Sequence, residues 1–226
     1  MRSREVSMET MATQEDRCPV DLSDPARVVF PAGTAAVLRV LVGADTPFTI
    51  RRLARLAGVS APVAGDVVHR LTDHGLVITE PAGRAIHCRF NNDHLAAVPV
   101  RALVTLRAGM IQLLRDEIAG WEFAPAHASL FGSAARGDGG IASDLDLLVV
   151  RTCDPAAQDV DVWDEQLFST GQRVRLATGN SVNWFDTTTD NLAGAVRAGQ
   201  PIVADWRRDA ILLAGKNLAA MLRTVA

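Results

Sequence analysis

The chain has 226 residues, enough for one large domain or two small ones, and its 48% hydrophobic and 22% charged content is ordinary for a globular protein. A net charge of −3 and a pI near 5.9 exclude wholesale electrostatic binding to nucleic acid or a membrane, but not a local basic face. Every apolar run is broken well before the ~20 residues a membrane span needs.

Residues 1–25 mix both charge signs around Met8 and Met11, lack the apolar core of a secretory signal, and are expected to be a tail outside the fold. Cys18, Cys88 and Cys153 lie far apart and in no CxxC spacing, which predicts a cytoplasmic protein without structural zinc.

From residue 26 to 98 the periodicity is first helical and then strand-like. "GTAAVLRVLVGA" spaces its apolar residues as a helix does, and "FTIRRLARLAGVS" gives a short amphipathic helix stopped by Gly58. Ser60 is placed to cap a third helix over "APVAGDVVHRLTDHG", with Pro62 in its first turn. "LVITEPAGRAIHCRF" reads as a hairpin around Pro-Ala-Gly. Three helices followed by a hairpin wing, with "LAGVS" between helices two and three, resemble a bacterial winged helix-turn-helix module. Such a module implies DNA binding, for which His69, Arg70 and Arg84 are the candidate contacts. Residues 51–90 hold six arginines against three carboxylates, a weak basic footprint, and Asp66 on the third helix opposes phosphate. A packing scaffold is the competing reading.

Leu103, Leu106, Met110, Leu114 and Ile118 form a stripe that predicts one helix over 99–122, joining this module to a second domain over 123–226. The second domain opens on "HASLFGSAARGDGGIASDLDLLVV". A strand ends at Gly132-Ser133, a turn carries Arg136, and a strongly apolar strand bears Asp144 and Asp146. Alternate strand residues share a face, so the two carboxylates lie side by side and repel unless a cation joins them. Mg²⁺ is commonly held by one or two carboxylates together with substrate phosphates. Gly132 lets backbone approach a phosphate, Ser133 adds a hydroxyl, and Arg136 can fork onto phosphate oxygens.

G-S followed about ten residues later by D-x-D resembles the signature of the DNA polymerase β-like nucleotidyltransferase superfamily. The resemblance covers about residues 126–215 and is densest at its start. It implies two Mg²⁺ ions on Asp144 and Asp146, nucleotide phosphates on Gly132 and Ser133, and a third carboxylate on a later strand. In "NSVNWFDTTTD" the place where many relatives have Asp holds Asn183, and Asp186 follows three residues later. Asp186 is the expected third catalytic and metal-binding carboxylate, brought inward by a bulge or strand end; capping of the next helix is its alternative role. Arg207, Arg208 and Lys216 read as surface charges, and Trp163, Trp184 and Trp206 as core.

The expected protein is α+β, a winged helix-turn-helix followed by a small nucleotidyltransferase half-sheet domain. The resemblance implies Mg-dependent transfer of an NMP from an NTP to a hydroxyl on RNA, such as tRNA, or on a protein, and an antitoxin-like partner. The alternative is a DNA-binding transcription regulator whose second domain senses nucleotide.

Overall fold

The structure is a computed structural model that describes residues 19–21, 23–83, 85–141, 143–152 and 160–224. Most of the expected N-terminal tail, Cys18, Cys153 and Arg84 lie outside the described residues. The chain divides into two units, one of residues 24–109 and one of residues 110–226 that also takes in the described residues before Asp24.

The first unit runs through a 3-10 turn (Pro25–Val28), α1 (Ala32–Val42), β1 (Phe48–Thr49), α2 (Ile50–Ala57), α3 (Ala61–Asp73), β2 (Val77–Ala82), β3 (Ala85–Phe90) and α4 (Ala97–Val104). Local chemistry sets the helix ends. The Thr49 hydroxyl accepts the Arg52 N–H and the Ser60 hydroxyl accepts the Val63 N–H, each satisfying an otherwise orphaned donor. Gly58 closes α2 at φ 67°, a left-handed conformation that glycine adopts without steric cost. β1, β3 and β2 form an antiparallel sheet in that order, so the expected hairpin gains a short third strand from Phe48 and Thr49, which the sequence places at the start of a helix. Leu38, Leu41, Leu53, Val68, Val77 and Phe90 close one apolar core between helices and sheet. This is a winged helix-turn-helix arrangement.

The predicted helix over 99–122 is two helices. α4 ends at Val104, and α5 spans Leu106–Ala119. Thr105 turns its hydroxyl back onto the Arg101 carbonyl at 2.8 Å, which competes with continuation of the helix.

The second unit continues with β4 (His127–Phe131), α6 (Gly132–Arg136), β5 (Leu145–Arg151), α7 (Val160–Thr178), β6 (Val182–Thr188), α8 (Thr189–Arg197), α9 (Pro201–Asp209), β7 (Ile211–Gly215) and α10 (Leu218–Thr224). The sheet order is β6-β5-β4-β7, with β5 and β6 parallel and the other pairs antiparallel. Strand alternation divides its side chains between two cores. Leu145, Leu147 and Val149 face one that includes Leu114 and Ile118 of α5 and Trp163 and Val174 of α7. Leu148 and Val150 face the other, with Phe131, Leu192, Val203 and Trp206. Leu145, Leu147, Leu148, Val149 and Val150 are all fully buried, each worth about 1.5–3 kcal/mol relative to exposure. That anchorage fixes β5 as the sheet's centre and fixes the register against which its neighbours are read.

Among the described residues no single helix is long and apolar enough to cross a membrane. The tryptophans fill core as expected: Trp121 lies 5.7 Å from Trp163 and 6.0 Å from Trp184 between ring centroids, and Trp206 packs edge-on to Phe131.

Candidate active site at the β4–α6 turn

β5 begins at Leu145, so the acidic pair straddles the strand's entry instead of lying inside it. Asp144 is exposed just before the strand, and Asp146 is half-buried as its second residue. Asp146 stands opposite Phe131 on β4, so its neighbour one residue on is Gly132. Gly132 has φ 71°, and a Cβ there would stand 2.5 Å from Asp146 Oδ2. Only a residue without a side chain permits both this backbone conformation and this approach.

Behind Gly132 the chain makes α6 and folds back on itself. The Ser133 carbonyl accepts the N–H groups of Gly137, Asp138 and Gly139. This threefold pinning holds the 137–139 loop beside the Ser133 side chain, where a Cβ on Gly139 would lie 3.1 Å from Ser133 Oγ. The turn that the sequence marks as a phosphate cradle thus has its first residue, Gly132, against Asp146 and its far end hydrogen-bonded onto the Ser133 carbonyl.

Burial pushes the Asp146 carboxyl above its ordinary range, and the adjacent charge of Asp144 pushes the same way. The Asn183 amide, donating to Asp146 Oδ1 at 3.1 Å, and the Arg136 charge pull against them. A half-buried carboxylate with a second carboxylate acting on it and no ion pair of its own among the described residues has chemistry suited to a hard, oxygen-seeking cation. Two carboxylates are the number Mg²⁺ uses when substrate phosphates complete its shell.

The third carboxylate is not where the sequence led us to expect it. β5 and β6 run in unbroken parallel register from Leu145↔Val182 to Arg151↔Thr188, pairing Asp146 with Asn183 and Val149 with Asp186. No bulge intervenes, and the odd spacing between 183 and 186 leaves Asp186 on the opposite face of the sheet from Asp146. There it forms a two-pronged ion pair with Arg151, Nε to Oδ1 at 3.0 Å and Nη2 to Oδ2 at 2.7 Å. Arg151 in turn lies 5.7 Å above the Trp163 ring. Asp186 does not cap α8 either; the Thr188 hydroxyl does, accepting the Asn191 N–H. Among the described residues no group of three or more His, Cys, Asp or Glu is arranged to hold a metal.

Arg136 is at the site but already engaged. Its Nε donates to Asp138 at 3.0 Å and its Nη1 to Asp209 at 2.6 Å. Asp209, the last residue of α9, has no signal in the sequence that links it to the turn. Arg208 also pairs with Asp209, at 2.7 Å; Arg207 and Lys216 are exposed, as expected.

In the first unit His69 is exposed and faces Asp73 at 3.4 Å. Arg70 donates to the buried Thr34 hydroxyl at 2.7 Å, which ties α3 to α1 and commits part of its guanidinium. Arg51, Arg52 and Arg55, on α2, are exposed as well.

Residues 115–172, which carry Gly132, Ser133, Asp144 and Asp146, match the family model of the nucleotidyltransferase domain. That span ends before Asn183, Asp186 and Asp209. No curated protein matches the chain. Among solved structures the chain is similar to a MarR family transcriptional regulator from Silicibacter pomeroyi, at 24% identity and TM-score 0.32, covering 40% of this chain and 64% of that one. It thus spans less than two thirds of that regulator's length. It is also similar to a toxin–antitoxin structure with AMP-PNP, at 18% identity and TM-score 0.33, covering 53% of this chain and 82% of that one. A third likeness is to Lactococcus lactis ZitR in complex with DNA, at 15% identity and TM-score 0.30, covering 49% and 73%.

Proposed function

We propose that the second unit is a Mg²⁺-dependent nucleotidyltransferase that moves an NMP from an NTP to a hydroxyl on a macromolecular acceptor, RNA or protein. The observation that carries the reading is the contact of Asp146 with Gly132, which sets the acidic pair against the turn inside the matched domain.

Asp144 and Asp146 would hold the cation, which supplies charge neutralisation at the phosphates and a more acidic acceptor hydroxyl. The chain's own residues do the positioning. Gly132 admits the phosphates close to backbone, Ser133 offers a hydroxyl beside them, and Arg136 lends charge from the far end of the turn. An O–P bond forms between the acceptor oxygen and the α-phosphorus as the bond to pyrophosphate breaks. With Asn183 facing Asp146, no β6 carboxylate is at hand for the acceptor proton, which leaves to solvent. A macromolecular acceptor suits a chain that adds a winged helix with exposed arginines on α2.

Incubation with Mg²⁺, each α-labelled NTP and either total RNA or protein lysate tests the reading. Label should move to one acceptor class with wild type and to neither with Asp144→Ala. A fully active Asp144→Ala would end it.

One observation favours a second reading. An amide in the third position weakens the chemistry while leaving nucleotide binding intact, as in a nucleotide-sensing regulator that binds DNA through its winged helix. Its mark would be Mg²⁺-dependent NTP binding without transfer, together with operator affinity that falls steeply with salt.

A further inference from the structure

Asp209 is a carboxylate in an unfavourable place. It ends α9, where the helix dipole disfavours negative charge, and its side chain is only 2% exposed. Two guanidinium groups offset that cost. Arg208 grips it from the same helix turn, and Arg136 reaches it from α6, seventy-three residues away in the chain. A local rule broken and then repaired by long-range partners is the pattern expected where placement of a side chain matters.

Arg136 is the side chain so placed. It ends the helix that starts at Gly132, its charge reaches Asp146, and its remaining N–H donors have no partner among the described residues. Its other carboxylate, Asp138, is 59% exposed, so that contact is easily exchanged for a phosphate. The contact to Asp209 is shielded and endures.

We infer that Asp209 is a positioning residue for nucleotide binding: it fixes the Arg136 guanidinium beside the β4–α6 turn so that its free edge meets the NTP phosphates. This rests on the nucleotidyltransferase reading above. Asp138 then occupies Arg136 only while nucleotide is away.

The test is Mg-NTP affinity, measured by calorimetry with the tightest-binding of the four common NTPs. Arg136→Ala and Asp209→Asn should each weaken binding about tenfold. The double variant should be no weaker than either alone, because both remove one interaction. Asp209→Glu keeps the charge and should recover part of the affinity at an unchanged melting temperature. Should Asp209→Asn fail to fold, Asp209→Glu with and without Arg136→Ala carries the same cycle. Asp138→Asn should tighten binding. Losses that add in the double variant, or Asp209→Asn binding like wild type while Arg136→Ala is weakened, would overturn the inference and leave the nucleotidyltransferase reading standing. Absence of Mg-NTP binding by wild type would overturn both.

Discussion

Asp146 and Asp186 make an instructive pair. Both are aspartates on adjacent strands, central β5 and edge β6, and burial pushes both carboxyls above their ordinary range. They lie on opposite faces of the same two strands and meet opposite company. Asp186 has Arg151 on both oxygens, so its charge is answered inside the protein. Asp146 has Asp144 near by, an amide from Asn183 on one oxygen and the Arg136 charge acting on it, but no ion pair of its own among the described residues. The first arrangement holds a sheet together. The second leaves a carboxylate without a paired cation, as the proposed cation site requires.

The sharpest way to break this contrast is to exchange the consequences. Asp146→Asn should lower label transfer by more than about a hundredfold, beyond what loss of a mere supporting partner costs. Asp186→Asn should leave transfer within about threefold of wild type and instead cost about 1–2 kcal/mol of stability in denaturant melts, since Arg151 loses a partly shielded partner. A large activity loss from Asp186→Asn with unchanged stability would put it back in the chemistry.

Asn183→Asp sharpens the contrast further. It sets a third carboxylate beside Asp146, so the protein should melt several degrees lower in EDTA, regain that stability with Mg²⁺, and transfer label faster than wild type. An Asn183→Asp protein indifferent to Mg²⁺ would mean that β6 contributes nothing to metal binding.

The smallest effect belongs to His127, on the same face as Phe131 but away from the turn. It is fully buried, with Nδ1 at the Lys216 carbonyl and Nε2 at the Ser129 hydroxyl. Burial lowers its pKa from the ordinary 6.5, with the Lys216 contact pulling weakly the other way. The unfolded chain therefore takes up the proton first as pH falls. His127's contribution is complete above about pH 6.5 and fades as pH drops from there toward the lower folded value. Wild type should lose stability between pH 7 and 5 more steeply than His127→Gln.

These cases also mark what the sequence could reveal. The grouping of Gly132, Ser133, Asp144 and Asp146 around one turn was legible because a strand–turn–strand unit encodes it locally, with spacing set by chain geometry. The helix caps Thr49 and Ser60 act within three residues and are local too, although Thr49 read as helix, not strand end. The partner of Asp146 on β6 was not legible, because "VNWFD" offers two polar residues and only the register with β5 chooses between them. Asp209 could not be found, because its partner Arg136 is joined to it only by the packing of α6 against α9. The break at Thr105 was hidden by an apolar stripe that runs through it at helical spacing.

The contact between Gly132 and Asp146 has a consequence for how the gene tolerates change. In a saturation library, position 132 should be among the least permissive of the chain, since even alanine places a methyl into the Asp146 carboxylate and strains a left-handed backbone. The two obstacles separate genetically. In an Asp146→Gly background the collision is gone and only the backbone strain remains, so folding selections should recover small residues at 132 that the parent rejects. The constraint runs one way: position 132 is held to glycine while Asp146 stays, whereas Asp146 can change beside Gly132 without a collision.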